Sequence, residues 1–438
     1  MKFDVVESII TRGDSDLLRT ILESGQFNHI NKPKSLHGPT LLMIACQAGF
    51  MDCMKVLLEY NADINYLNQN DSVLSCACRS GSVEMVRFII TSGVEINDDI
   101  ISNVFRSKYL MQNTEIITIL IDYIQNISNG SYNTFISRAS MAGNVAIVRL
   151  LLERGANPIK TYNNCIIADD ERNICIIVAS KEGHLEVVKL LLTWGSVDKR
   201  PSQSMLVSAL INASRYDHID VVRYLFEYGI NDTLALTTAL RRAVVGNHVQ
   251  VAAYLIDNGA QINTEIDEYN LLTYTCRNDF TNMVQLLLSR GADPNAVDPS
   301  GECPIKSALH HAKTLKLVLE AGADPNLHFA DGSTALLEAM KPFRENVRDI
   351  FPLLLEHGAD PNLAHAHSAD TPLITAALAR RVDLVTLLLE YGADVTQVNG
   401  DEVNVLDLLG YVTADPAVVV LCLQYKDTNR PDAKPLLK

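Results

Sequence analysis

Leucine triplets followed by a glycine recur along most of the chain. They occupy residues 150–152, 190–192 and 286–288, and the glycines are Gly155, Gly195 and Gly291. Around the second triplet, apolar residues at positions 185, 187, 188, 191 and 192 have the spacing of one face of an amphipathic helix. The pattern therefore predicts one helical unit copied many times, in which each copy buries its apolar face against its neighbours. We expect no central core and no obligatory active-site cleft.

A second pattern predicts another helix in front of each of these segments. A threonine followed by small and apolar residues stands at 40–45, 334–339 and 371–376. Its hydroxyl can accept a hydrogen bond from a backbone N–H at the helix start, and a proline, as after Thr371, suits the first helical position. Nine residues later comes a residue that tolerates the left-handed conformation and reverses the chain. Such residues are Gly49, Gly81, Gly143, Gly183 and Asn247.

At three reversals another residue takes the place of glycine: Asp217, Asp279 and Arg380. Aspartate tolerates the left-handed region because its short side chain can bond locally. Arg380 has no such compensation, so we expect strain of about 1 kcal/mol there if its backbone is left-handed.

Turn-forming Ala-Asp-Pro-Asn segments at 292–295, 323–326 and 359–362 join one unit to the next. With the threonine start and the Leu-Leu-x-x-Gly-Ala-Asp-x-Asn ending, the chain resembles the ankyrin-repeat family over about residues 1 to 425. The resemblance implies an all-α fold with short β-hairpin fingers, arranged as a solenoid of about twelve helix-turn-helix units.

The repeats predict an order of segments along the chain. Residues 1–31 form an N-terminal capping repeat, 32–97 are repeats, 98–130 a degenerate repeat, 131–398 further repeats, 399–425 a C-terminal capping repeat and 426–438 a tail. The degenerate repeat lacks the threonine and the glycine, and apolar residues at 116, 117, 119, 120 and 121 predict its second helix. An insertion at 158–172 predicts a longer finger. Insertions in repeat arrays tend to lie on the binding face.

Charge and cysteine usage narrow the function classes. The net charge of −15 argues against a nucleic-acid partner, and the acidity lies in residues 220–438, with 17 basic and 29 acidic side chains. Most of the nine cysteines stand in apolar runs, which fits reduced thiols. No apolar run has a membrane-spanning length, and Asp4 and Glu7 argue against a signal peptide. We expect an intracellular monomer without membrane insertion, in the cytoplasm or, as the alternative, in the nucleus.

No catalytic motif occurs in the sequence, so neither an enzyme nor a cofactor is expected. The histidines at 184, 218 and 248 share one register of successive repeats, which predicts a structural role. Candidate metal ligands are Cys303 with His310 and His311, or His365 with His367. A metal-dependent enzyme, the alternative of another class, would require a metal site at His365 and His367 completed by distant acidic residues. Neither group has a recognised ligand spacing.

The resemblance implies a concave groove formed by the first helices and the fingers. The residues just before the helix reversals are candidates for binding a protein partner: Arg79, Lys181, Arg215, Tyr216 and Arg277. The fingers add Tyr269, Phe329, His365 and His367. Arg and Tyr are enriched where binding energy concentrates, and the basic charge favours an acidic peptide segment. In the competing interpretation, these basic side chains only lie on solvent-exposed helix faces and pair with acidic finger residues.

These observations predict a non-catalytic scaffold or adaptor for protein–protein interaction. The alternative in the same class is a substrate-recruiting subunit of a ubiquitin ligase or a similar assembly. It ranks second because no F-box-like segment is evident in residues 426–438.

Overall fold

The computed structural model describes residues 2–68, 71–96, 113–123, 129–159, 174–195, 200–341, 347–411 and 416–428. These residues form 25 helices and one two-stranded antiparallel sheet. The chain divides into two units, Met1–Ile230 and Asn231–Lys438.

Among its described residues, the first unit contains helices in consecutive pairs, together with one single helix, α7. They are α1 Phe3–Ile10, α2 Ser15–Glu23, α3 Leu41–Ala48, α4 Met51–Glu59, α5 Val73–Ser80, α6 Val83–Thr91, α7 Thr114–Tyr123, α8 Asn129–Ala142, α9 Val145–Glu153, α10 Cys175–Lys181, α11 Leu185–Thr193, α12 Gln203–Arg215 and α13 Ile219–Glu227. The first helix of one pair packs against the first helix of the next, as α1 packs on α3 and α3 on α5. Each interface buries the apolar stripe that the sequence pattern predicts.

The second unit repeats the same arrangement. It contains α14 Thr233–Val245, α15 Val249–Asp257, β1 Glu265–Ile266, β2 Tyr269–Asn270, α16 Leu271–Arg277, α17 Thr281–Ser289, α18 Pro304–Ala308, α19 Ala312–Glu320, α20 Ala335–Ala339, α21 Val347–Glu356, α22 Pro372–Leu378, α23 Val382–Glu390, α24 Val405–Tyr411 and α25 Pro416–Thr428. In the hairpin, Glu265 lies opposite Asn270 and Ile266 opposite Tyr269. Over the described ranges the two units hold twelve helix pairs plus α7, which agrees with the predicted count of about twelve.

The predicted helix starts and reversals are confirmed. The Thr40, Thr334 and Thr371 hydroxyls each accept a hydrogen bond from the backbone N–H three residues on, at 3.4, 3.4 and 3.2 Å. At the reversals, φ is 79° at Gly49 and 58° at Asn247. The chain therefore turns where the sequence places residues that tolerate positive φ.

Asparagine side chains tie consecutive finger loops together, which explains the Asp-Pro-Asn signature. Asn326 accepts a hydrogen bond from the backbone N–H of Asp360 at 2.7 Å and donates one to the carbonyl of Gly358 at 3.0 Å. Asn295 and Asn362 make the same pair of bonds to the following loop. Each loop is thus positioned by the loop before it.

Two predicted segments fall at the limits of the described residues. The second helix of the degenerate repeat is confirmed as α7, where Ile116, Ile117, Leu120 and Ile121 are buried and Ile119 is half-buried. The first half of that repeat and the insertion from residue 160 onward lie outside the described residues. At the other end, α25 continues to Thr428, beyond the boundary drawn at residue 425.

Candidate functional site

Arg79, in the last turn of α5, is held by its own repeat. Its Nη1 donates to Asp71 Oδ1 at 2.6 Å, and its Nη2 lies 3.2 Å from Cys76 Sγ. The hydrogen bond to Asp71 is the main reason why the pKa of Arg79 is raised. The charge predicted to meet a partner is therefore already paired, as the competing interpretation expects.

Lys181, Arg215 and Tyr216 come together in the first unit, as a group that we call the tyrosine cluster. Lys181 ends α10, Arg215 ends α12 and Tyr216 caps α12. The Lys181 ammonium lies 5.4 Å from the centroid of the Tyr216 ring, and the Arg215 guanidinium carbon lies 5.8 Å from it. Among the residues that the structure describes, Lys181 has no ion pair. Tyr216 is 42% exposed, so the ring and the lysine are open to a partner.

In the second unit, Arg277 lies against Tyr269 of strand β2. Its Nη1 donates to the Tyr269 hydroxyl at 2.6 Å, and its guanidinium carbon is 5.0 Å from the ring centroid. Within the described ranges no carboxylate pairs with it. A cleft of about 350 Å³ begins at this arginine and crosses α18 and α20. Its lining is Arg277, Glu302, Lys306, Ser307, His310 and Glu338.

The far wall of this cleft is a network of paired charges. Lys306 Nζ lies 2.9 Å from Glu302 Oε1 and 5.4 Å from the Phe329 ring centroid. Glu338, only 7% exposed, is paired with Lys341. Phe329 is 6% exposed, so little of its ring is available to the partner that the sequence analysis predicts for it. The ring is covered by Lys306 because an apolar finger residue gains more by packing on its own repeat.

His365 and His367 lie on one finger with their ring centroids 5.7 Å apart. His365 Nδ1 faces the backbone N–H groups of His367 and Ser368 at 3.2 and 3.3 Å, so this nitrogen acts as an acceptor inside the turn. Over the described ranges there is no group of three or more His, Cys, Asp or Glu side chains that could hold a metal ion. The His365 ring therefore stabilises the turn of its own finger through Nδ1.

Cys303, the other residue of that hypothesis, is 2% exposed at the start of α18. Burial raises the pKa of its thiol, which disfavours the thiolate that a metal requires.

A second cleft, of about 210 Å³, lies between α14, α16 and the β1–β2 hairpin. Its lining is Thr238, Arg241, Arg242, Val245, Ile266, Asp267 and Tyr274. We call it the arginine cleft. Sequence reasoning missed its two arginines because it considered only the residue next to each reversal, whereas α14 runs to Val245. The sequence feature that could have revealed this cleft is the pair of consecutive arginines near the end of α14, the first helix of its repeat.

A family model for ankyrin repeats, built from three copies, matches residues 7–100, 139–235, 176–266, 231–298 and 305–399. The chain belongs to the ankyrin-repeat family. Ankyrin repeats are generally modules for protein–protein interaction.

Several curated ankyrin-repeat proteins are similar to this chain. The ankyrin repeat and KH domain-containing protein mask-1 of Caenorhabditis elegans is 25% identical over 290 residues, which cover 64% of this chain and 10% of mask-1. The E3 ubiquitin-protein ligase KEG of Arabidopsis thaliana is 21% identical over 330 residues, covering 71% of this chain and 20% of KEG. The chain thus spans a small part of these relatives.

Two solved ankyrin-repeat domains are also similar. One, from Acinetobacter baumannii, is 28% identical with a TM-score of 0.39 and covers 42% of this chain and 98% of that domain. The other, from Bcl-3, is 24% identical with a TM-score of 0.43 and covers 49% of this chain and 97% of that domain. Among the described helices of this ankyrin-repeat chain, none combines the length and the apolar character needed to cross a membrane.

Proposed function

We propose that this ankyrin-repeat protein is a non-catalytic scaffold or adaptor that binds an acidic segment of a partner protein. The observation that carries the proposal is the tyrosine cluster, in which two cations flank a Tyr216 ring that is 42% exposed. An exposed basic and aromatic group stands out in a chain whose net charge is −15. An acidic peptide would gain charge-assisted hydrogen bonds from the cations and apolar contact with the ring.

The second unit supports the same proposal through Arg277 and Tyr269. The phenol holds the guanidinium in place, so less conformational entropy is lost when an acidic side chain binds to it. His365 and His367 would extend the surface along their finger. Arg79, which is paired with Asp71, and Phe329, which is 6% exposed, would contribute less to partner binding than these residues.

The intracellular location, in the cytoplasm or the nucleus, belongs to the same proposal. Eight cysteines among the described residues are buried free thiols, as expected in a reducing compartment. We also infer a monomer that binds no nucleic acid, because strong net negative charge opposes both self-association and binding along a polyanionic nucleic-acid backbone.

A substrate-recruiting role in ubiquitin transfer is the second candidate. It is favoured by the match to the ligase KEG over 71% of this chain. In that case the acidic segment would belong to a substrate, and the complex would contain a ligase. Affinity purification that recovers no ligase component would argue against it.

The proposal is tested by changing the charge of the tyrosine cluster. Lys181→Glu with Arg215→Glu is compared with Arg87→Glu and Arg149→Glu, which place the same charge change on the exposed second helices α6 and α9. Circular dichroism must show that both variants are folded. Binding of fluorescent acidic peptides should weaken by about tenfold or more in the first variant and little in the second. Equal losses of affinity in the two variants would show that binding depends only on the overall charge of the protein, which would contradict the proposed site.

A further inference from the structure

We propose that the arginine cleft of the second unit binds a phosphoryl group carried by a side chain of the partner protein. This inference rests on the proposed function, because the phosphorylated side chain would belong to the same partner protein. It names the chemical group that the partner would present, and it places the binding site for that group outside the tyrosine cluster.

Arg241 and Arg242 differ from several arginines of the fold in having no carboxylate partner. Several arginines have a carboxylate partner: Arg19 with Glu59, Arg79 with Asp71, Arg154 with Asp122, Arg290 with Asp257 and Arg381 with Asp383. The side chains of Arg241 and Arg242 have neither an ion pair nor a hydrogen bond to any residue that the structure describes. Both residues line the same cleft, and an anion bound there would offset the repulsion between their two positive charges.

A phosphoryl group fits this pair better than a carboxylate does. One carboxylate carries a single charge and two oxygens, which one guanidinium fork can satisfy. A phosphorylated side chain carries a charge of about −1.5 to −2 and three acceptor oxygens, so it can engage two forks at once. Recognition of phosphorylated segments by clustered arginines is an established mode of peptide binding.

The remaining walls of the cleft suit the rest of such a side chain. The Tyr274 ring is half-buried and lies edge-on to Phe280, with centroids 6.4 Å apart, which fixes its direction. Its hydroxyl makes no hydrogen bond to a described residue and can donate to a phosphoryl oxygen. Val245 is 40% exposed and offers an apolar contact for the aliphatic part. The volume of about 210 Å³ accommodates a phosphoryl group with its linking carbons.

Asp267 is the one anionic residue of the lining. It stands at the tip of the β1–β2 hairpin with φ of 55°, exposed to solvent. Solvent screens its charge, so it weakens the binding of a phosphoryl group without preventing it. Removal of the Asp267 charge should therefore strengthen binding, whereas removal of the arginine charges should weaken it.

The experiment uses the full chain and three fluorescent peptide libraries of random sequence with a fixed central residue: phosphoserine, glutamate or serine. Fluorescence anisotropy should show the phosphoserine library binding about tenfold more tightly than the glutamate library. Arg241→Gln with Arg242→Gln should abolish this preference, Arg241→Lys with Arg242→Lys should retain part of it, and Asp267→Asn should increase it.

The matched control is Arg348→Gln with Lys316→Gln, which removes two positive charges from exposed positions of the same unit. It should keep the preference for phosphoserine. The inference is overturned if the phosphoserine and glutamate libraries bind alike, or if the Arg241→Gln and Arg242→Gln variant binds phosphoserine peptides as tightly as the wild type.

Two further measurements are needed. One distinguishes a phosphorylated protein from a phospholipid as the source of the phosphoryl group, and the other distinguishes this inference from the proposed function. Capture by vesicles that contain phosphatidylinositol phosphates, without a preference for phosphoserine peptides, would overturn the assignment to a partner protein. If glutamate peptides bind through Lys181 and Arg215 while phosphorylation adds nothing, the proposed function stands and the phosphoryl site falls.

Discussion

The imidazole of His218 lies directly on Gly183 of the preceding repeat. Its Nε2 is 2.8 Å from the Lys181 carbonyl oxygen, and a Cβ added at Gly183 would be 2.4 Å from its Nδ1. His184 and Gly143 have the same relationship, with 3.0 Å to the Met141 carbonyl. The glycine is needed both for its φ of 78° and for the close approach of the ring.

We expect Gly183→Ala to destabilise the first unit more than Gly49→Ala. Both glycines have a positive φ, 78° and 79°, but no atom lies within 4 Å of a Cβ at Gly49. Gly49→Ala should therefore cost only the backbone strain, about 1 kcal/mol, whereas Gly183→Ala should cost about 2 kcal/mol or more because the ring must leave its hydrogen bond. Urea unfolding of both variants measures the difference. Equal losses would show that the ring moves aside freely.

Arg380→Gly should stabilise the second unit. Arg380 has φ of 56°, a conformation that costs a non-glycine residue about 1 kcal/mol. Thermal unfolding should show a higher Tm for the glycine variant. Arg380→Ala is the control, since it removes the same side-chain contacts but keeps the strained Cβ. If the glycine variant is no more stable than the alanine variant, the backbone at Arg380 is not strained as we expect.

Asn326→Ala should be among the more damaging substitutions on the finger loops. It removes the acceptor of the Asp360 N–H and the donor to the Gly358 carbonyl. Two hydrogen bonds of this kind contribute about 2 kcal/mol together. Asn326→Asp is the informative partner, because it keeps the acceptor and loses the donor, and it should fall between the alanine variant and the wild type in chemical unfolding.

Acid should weaken the second unit through Asp331. Partial burial by itself would raise the pKa of this carboxyl, but hydrogen bonds from the Ser333 side chain and backbone and the Lys341 ammonium lower it well below its usual range. A lowered folded-state pKa means that the contribution is present above the unfolded pKa of about 4 and is lost as the pH falls through the folded value.

The urea midpoint of the wild type should therefore fall as the pH is lowered below about 4, and Asp331→Asn should show a shallower fall. Asp401→Asn, on an exposed turn, is the control and should keep the wild-type profile. If the urea midpoint of Asp331→Asn falls with pH as steeply as that of the wild type, Asp331 is not the source of the acid sensitivity.

The buried cysteines should resist alkylation while the protein is folded. Burial raises the pKa of Cys76 to about 11 and that of Cys175 to about 12. At pH 8 a thiol with a pKa of 11 is ionised in about one molecule in a thousand, and the reactive form is the thiolate. Mass spectrometry should find these residues unmodified in native protein and modified in urea. Rapid native labelling of Cys76 would mean that α5 opens readily.

Much of the fold was predictable because its determinants are local. The N-cap of Thr371 and the reversal at Gly183 depend on residues a few positions apart, so their motifs could be recognised directly. The α7 helix of the degenerate repeat was predicted from apolar spacing alone. The candidate site was predicted less well: Arg79 proved to be paired, Phe329 proved to be buried, and Arg241 and Arg242 were overlooked.

The sequence by itself determined the repeat period, the threonine helix starts, the chain reversals and the family, since these follow from short-range periodicity, capping and turn chemistry. Only the tertiary structure decided which charges remain available. Asp71 reaches Arg79 within its repeat, whereas no carboxylate of the described chain reaches Arg241 or Arg242. That difference depends on where fingers and helices of adjoining repeats bring their side chains, and Coulomb attraction acts on distance in space, which residue spacing does not encode.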